Sequence, residues 1–136
     1  MTEPKISISL EIEKLLHIAQ IAGELILEHY HAPAHEFSKQ KILDKENNTP
    51  LTLADMMANN YITTELRQIS SYPIVSEEDH TSWQYRQPDN IFWLIDPLDG
   101  TKEFINKRDE FTVNIALIKN GQAIFGIVHA PALNLS

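Results

Sequence analysis

Five consecutive apolar residues, Ile91-Phe-Trp-Leu-Ile95, end abruptly on Asp96, and this run most constrains the fold. A strand with one solvated face alternates apolar and polar residues, whereas an unbroken run is a strand covered on both faces. The chain must therefore build layers around it. Downstream, Phe111 to Lys119 alternates, with Phe111, Val113, Ile115 and Leu117 on one face. Asn120-Gly121 follows, and Ala123 to His129 is apolar again. Asn-Gly between two such runs predicts a tight hairpin, because both turn residues tolerate positive φ. The edge at Ala123 to His129 is suited to pairing with another chain.

The upstream half reads as helical. From Ser9 to Tyr30, Ile12, Leu15, Leu16, Ala19, Ala22 and Ile26 recur at three- and four-residue steps. Pro33 closes that helix, and the polar stretch over 35–50 reads as a loop. A second helix is predicted from about Thr52 to Ser70, with Ala54, Ala58, Ile62, Leu66 and Ile69 inward. Pro73-Ile-Val-Ser76 is a short strand that delivers Glu77 and Glu78 at its end. The expectation is an α+β domain over residues 1–136, with helices layered on a mainly antiparallel sheet.

Charge narrows the function. Eleven basic residues against nineteen acids give a net charge of −8. That surplus argues against nonspecific nucleic-acid binding, which depends on basic side chains displacing counterions. It also disfavours an anionic membrane surface. With no cysteine, thiolate metal sites and cysteine nucleophiles are excluded. The N-terminus lacks the basic start and apolar stretch of a signal peptide, and no apolar run approaches the ~20 residues of a membrane span. The chain reads as cytoplasmic. Between Ser76 and Glu110 lie nine acids and four bases, so a short window carries most of the negative charge.

Three pieces of sequence concentrate the acids. In Asp96-Pro-Leu-Asp-Gly-Thr101, Pro97 forces a bend between two carboxylates, Gly100 lets a ligand approach the backbone, and Thr101 can begin a helix. Two carboxylates on a turn, with the Leu98 carbonyl, suit a hard cation such as Mg²⁺. The second piece is Ser76-Glu-Glu-Asp79, which standing alone reads as a solvated acidic end. The third is Thr52-Leu-Ala-Asp55, which standing alone reads as a capping box, Thr52 capping and Asp55 reaching back. If the three converge, Asp55, Glu77, Glu78, Asp96 and Asp99 share a small volume. Like charges ~4 Å apart repel by about 4 kcal/mol at an effective dielectric near 20. Such a cluster must protonate, pair with Arg86, Lys102, Lys107 or Arg108, or bind metal. His31-Ala-Pro-Ala-His35 is a poor metal site, since Pro33 prevents both rings from sharing a helix face. Trp83, Tyr85, Met56 and Met57 read as local packing.

Trp93-Leu-Ile-Asp-Pro-Leu-Asp-Gly-Thr-Lys-Glu-Phe-Ile105 resembles the signature of the Mg²⁺-dependent, lithium-sensitive phosphatases related to inositol monophosphatase. Thr49-Pro-Leu-Thr-Leu-Ala-Asp55 and Val75-Ser-Glu-Glu-Asp79 resemble that family's other two motifs, in the same order. Lys102-Glu103-Phe104 is more similar to the CysQ-type 3′(2′),5′-bisphosphate nucleotidase branch than to the inositol branch. The resemblance implies the N-terminal domain of the inositol-monophosphatase-like sugar phosphatase fold. It further implies two or three Mg²⁺ ions, with Glu77, Asp96, Asp99 and the Leu98 carbonyl as ligands and Glu78 on a further hydrated ion. Asp55 paired with Thr101 would activate water. Gly100 and Thr101 would hold the phosphate, with Glu77, Leu98, Asp99 and Lys102 also at the substrate. The implied substrate is a small phosphorylated nucleotide, adenosine 3′,5′-bisphosphate or its sulfated form, in sulfur metabolism. An inositol or fructose-bisphosphate phosphatase is the alternative within the class, and a non-catalytic Mg²⁺-binding or assembly module is the alternative outside it. Family members are longer, with a second domain that supplies a further metal-binding Asp. That domain does not follow Ser136 here, which leaves three expectations open: an N-terminal portion of a longer protein, a disrupted or split gene, or a short protein that associates with the other half or with a second copy.

Overall fold

The computed structural model describes residues 8–31 and 49–136. Pro33, His35 and most of the expected polar loop lie outside the described residues. Helix α1 (Ile8–Tyr30) buries Leu15, Ile18, Ala19, Ala22, Ile26 and Tyr30. Its inward stripe differs from the sequence expectation, because Ile12 is exposed, Leu16 is only half-buried and Ile18 is buried instead. At 100° per residue, positions 12 and 16 lie off the centre of the stripe traced by 15, 18, 19, 22 and 26. Helix α2 (Pro50–Ile69) packs on α1 through Ala54, Ala58, Ile62 and Leu66.

The sheet follows. Strand β1 (Ile74–Ser76) is joined by a 3-10 helix (His80–Tyr85) to β2 (Ile91–Asp99). A short helix, α3 (Thr101–Ile105), then leads to β3 (Thr112–Lys119) and β4 (Gln122–His129). The order is β1-β2-β3-β4, with β1 parallel to β2 and the other pairs antiparallel. The α+β layering and the mainly antiparallel sheet thus match the sequence reading. Asn120 (φ 52°) and Gly121 (φ 75°) form the β3–β4 turn with both residues left-handed, as the Asn-Gly signal requires. Among the described residues no helix is long and apolar enough to cross a membrane.

The core lies between the helix layer and one face of the sheet. Trp93, Ile95, Val113, Ile115 and Leu117 point into it, all almost fully buried. Trp93 meets Phe125 edge-on at 6.0 Å between ring centroids. Its indole N–H donates to Ser70 Oγ at 2.9 Å, and Ser70 is the residue that caps the C-terminal end of α2. One side chain therefore ties the end of α2 to the middle of β2. Truncation of a large buried aromatic typically costs 3–5 kcal/mol, through lost transfer energy and a residual cavity. Trp93→Ala is expected to lower the unfolding free energy by about 3–5 kcal/mol, measured by urea denaturation.

Candidate active site

The N-cap of helix α2 lies three residues earlier than the sequence suggested, at Thr49 rather than Thr52, and this changes the place of Asp55 in the helix. Thr49 is the N-cap, its Oγ1 accepting from the Thr52 N–H at 3.0 Å, and Pro50 opens the helix. Proline suits this position, since its missing N–H would have had no helical partner. The capping box centred on Thr52 is therefore not formed. Asp55 instead lies in the second turn, on the buried face, with only 8% of its surface exposed. Its Oδ1 has no hydrogen-bond partner. A buried carboxylate oxygen without a partner is costly, and costly groups retained in a fold point to function.

Glu77 and Glu78 follow β1 directly. Ser76 pairs with Ile95, and the Glu77 N–H donates to the Ile95 carbonyl at 3.1 Å, so Glu77 flanks Asp96 on the neighbouring strand. The 3-10 helix holds this strand end in place. Buried Ser82 Oγ accepts from the Ser76 N–H at 3.0 Å, and the Trp83 indole donates to the Ser76 carbonyl at 3.0 Å. Ser76 Oγ accepts from the Glu78 N–H at 3.2 Å and donates to Asn59 Oδ1 of α2 at 2.6 Å. Asp79 belongs to this scaffold, since its Oδ1 caps the 3-10 helix by accepting from the Thr81 N–H and hydroxyl.

Strand β2 does not stop at Asp96. It runs on to Asp99, with Asp96 opposite Asn114, Asp99 opposite Thr112, and a bulge between. The two aspartates are thus held on a bulged strand rather than on a free turn. Bulges re-aim side chains next to sites, and Pro97, which lacks an N–H, fits in one. Leu98 is buried and pins the bulge to the core. Gly100 caps α3 at φ 92°, and a Cβ there would come within 3.1 Å of Phe111 Cα. Only glycine meets both conditions without strain.

Burial and the repulsion between like charges disfavour ionisation of these acids. Burial, then Glu78 and Asp96, push the Asp55 carboxyl up to about 7. Burial, then Asp99, Glu77 and Glu78, push Asp96 up to about 6, partly offset by the Leu98 backbone. Glu78 is raised by burial and by Glu77, with His80 pulling the other way. The charged neighbours acting on Asp55 and Asp96 are all carboxylates. Two of the candidate neutralising cations are engaged elsewhere. Lys107 donates to the Tyr30 carbonyl and sits 4.6 Å from that ring's centroid, and Arg86 lies 5.9 Å from the Trp83 centroid.

The structure therefore brings Asp55, Glu77, Glu78, Asp96 and Asp99 into one interacting group. It does not join Thr101 to Asp55 by a hydrogen bond, and Lys102 is exposed. Among the described residues, no three side chains stand so as to hold a single metal ion. The donor set still fits a hard divalent cation, being all oxygen, mutually repelling and including the unpartnered Asp55 Oδ1. Sequence reasoning missed Asn114, whose Nδ2 donates to Asp99 Oδ2 at 3.1 Å while its Oδ1 is buried without a partner. An amide in the otherwise apolar strand Thr-Val-Asn-Ile-Ala was its signal.

These shifts set a pH dependence. Asp55 titrates above the ordinary 3.8, so its contribution to stability is present at low pH and lost as pH rises through about 7. Asn resembles the protonated form. Asp55→Asn is expected to stabilise the cation-free chain by about 1–2 kcal/mol at about pH 8, after discounting for solvent screening, and markedly less at about pH 5. Urea unfolding at the two pH values measures this.

Residues 10–136 match the model of the inositol monophosphatase family. The chain is 41% identical over 125 residues to the 3′(2′),5′-bisphosphate nucleotidase CysQ of Escherichia coli, covering 91% of this chain and 49% of that protein. It is 42% identical over 124 residues to the enzyme of that name from Buchnera aphidicola, covering 88% of this chain and 44% of that one. The crystal structure of CysQ from Bacteroides thetaiotaomicron superposes with a TM-score of 0.71 at 38% identity, over 86% of this chain and 41% of that chain. An inositol monophosphatase from Zymomonas mobilis gives a TM-score of 0.73 at 25% identity, over 96% of this chain and 47% of that chain. The chain thus spans about half the length of the curated relatives it matches. With three carboxylate segments on one α+β frame and a match along nearly all its length, the chain belongs to the inositol monophosphatase family.

Proposed function

We propose that residues 1–136 form the N-terminal, metal-binding domain of a Mg²⁺-dependent nucleotide phosphatase acting in the cytoplasm. Its reaction removes phosphate from adenosine 3′,5′-bisphosphate to leave AMP, or from the sulfated form to leave adenylyl sulfate, within sulfur metabolism. The observation that carries this reading is the coupling of Asp55, Glu78 and Asp96, contributed by α2 and by the ends of β1 and β2. The similarity to CysQ nucleotidases supports the choice of substrate over an inositol phosphate.

In this reading Glu77, Asp96, Asp99 and the Leu98 carbonyl hold Mg²⁺, and Glu78 serves a further hydrated ion. Bound Mg²⁺ would supply charge neutralisation of the phosphoryl oxygens and acidification of a water. The remaining work belongs to the chain. Asp55, on the buried face of α2 beside Glu78 and Asp96, is placed to accept the proton of an attacking water. Thr101, at the start of α3, orients that water once its hydroxyl turns to Asp55. The backbone N–H groups at Gly100 and Thr101 hold the phosphate, where free helix-start donors favour an anion. Lys102, exposed beside them, reaches a second phosphate of the substrate. Phosphoryl transfer depends on such positioning and charge stabilisation above all. A second reading, a domain that binds Mg²⁺ without turnover, is favoured by the lack of a hydrogen bond between Thr101 and Asp55, whose Oδ1 has no partner.

Two measurements test the proposal. Calorimetric titration at about pH 8 is expected to show Mg²⁺ binding that Asp96→Asn weakens by at least roughly tenfold. Binding unchanged in that variant would sink the metal assignment. Phosphate release is expected to depend on Mg²⁺ and to be fastest with adenosine 3′,5′-bisphosphate among that compound, inositol phosphate and fructose bisphosphate. Mg²⁺ binding with no release from any of the three selects the non-catalytic reading.

A further inference from the structure

Asn114 sits where β3 faces the two aspartates of the β2 bulge. Its backbone pairs with Asp96, while its side-chain amide crosses the bulge and donates to Asp99 Oδ2 at 3.1 Å. One residue thus engages both carboxylate-bearing positions. It also lines, with Glu77 and Asp96, a cleft on the outer sheet face. Asparagine is depleted in strands, whereas its neighbours Val113 and Ile115 are of the kind a strand favours. Strand propensity therefore does not account for this residue.

Stability does not account for it either. A carboxylate only accepts, so the amide nitrogen must face Asp99 and the amide oxygen must face away. Facing away, Oδ1 is shut off from water and finds no donor. The side chain gains one bond at an exposed carboxylate and carries one buried acceptor unsatisfied. An unmade buried hydrogen bond costs more than a made one contributes, so the balance is unfavourable to the fold.

The two bulge carboxylates share a further property. Asp96 is held by the backbone of Leu98 and Asp99 by the Asn114 amide, in each case a neutral donor. A lysine or arginine would orient a carboxylate as well, but its charge would compete with a metal cation for the same oxygens. A neutral amide orients without neutralising. Hydrogen bonds of this kind fix a ligating group and strengthen metal binding from outside the ligand set.

We infer that Asn114 is a positioning residue for metal binding: its amide fixes Asp99 on the bulge beside Asp96, so that both carboxylates are in place before a divalent cation arrives. The inference rests on the reading of Asp96 and Asp99 as Mg²⁺ ligands, and it assigns Asn114 no contact with the ion. It also accounts for the unsatisfied Oδ1, which follows from turning the nitrogen towards Asp99.

The test uses Asn114→Leu in the full 136-residue chain, a side chain of similar shape with neither donor nor acceptor. Its Mg²⁺ affinity, read by calorimetry at about pH 8, is expected to fall by roughly tenfold or more. Its urea midpoint in the presence of a chelator is expected to stay unchanged or rise, because the unsatisfied acceptor is gone. In the isotope-labelled, metal-free chain, the Asn114 side-chain amide is expected to exchange slowly with solvent, and Asp99→Ala is expected to speed that exchange. An asparagine that served only the fold would lower affinity and midpoint together. That result overturns the inference, as does an Asn114→Leu chain that fails to fold. Unchanged affinity in Asn114→Leu, beside clear binding by the wild-type chain, overturns the inference and leaves the metal reading standing. Absence of Mg²⁺ binding by the wild-type chain overturns both. Amide exchange indifferent to Asp99→Ala removes the contact on which the inference is built and overturns it alone.

Discussion

Everything at the site depends on β2 being continuous from the core to the carboxylates. The same strand carries Trp93 and Ile95, both fully buried, and then Asp96 and Asp99. Its apolar half is fixed by packing against both helices' layer and by the Trp93–Ser70 hydrogen bond. Packed interiors transmit position with little slack, since side chains there are as dense as in organic crystals. The acidic half inherits that rigidity. Strand β1 inherits it in turn, because its register on β2 sets Glu77 beside Asp96.

Stability and chemistry pull against each other here. Asp55 is placed on the buried face of α2, where an alanine or asparagine would be cheaper to hold. Burial first, and then the neighbouring acids, raise the Asp55 and Asp96 carboxyls towards neutrality. A structural ion pair would have been built with an arginine or lysine at this point. Instead, Lys107 is committed to the end of α1, and Tyr30 donates to Asp109 at 2.7 Å, tying that helix end to the segment after α3. Lys107 and Asp109 thus brace the frame, while the charged neighbours acting on Asp55 and Asp96 are other acids.

Much of this was legible in the sequence, for local reasons. The Asn-Gly turn, the apolar β2 run and the α2 stripe each follow from periodicity and turn chemistry that no distant contact overrides. The role of Asp55 was not legible from spacing alone. Thr52-Leu-Ala-Asp55 and Thr49-Pro-Leu-Thr52 both offer a capping threonine, and the choice fell to Pro50, which prefers the first helical position. The bulge was hidden for a similar reason. Asp-Pro-Leu-Asp-Gly reads as a turn until β3 supplies partners for both Asp96 and Asp99. Asn114 was hidden because its meaning lies across the strand, in the pairing with Asp96, and not in its own segment.

The alternation in β2 has a consequence for how the chain finds its own register. Trp93 and Ile95 point inward, while Leu94 and Asp96 point outward. Sliding β2 by one residue against β3 would exchange the two sets and drive Asp96 among Val113, Ile115 and Leu117. An ionised carboxylate in such surroundings is far too costly to be held. Leu94, by contrast, would tolerate either side. Asp96 in the outward set therefore disfavours the one-residue slip, and the native register is the one that keeps its carboxylate out of the core.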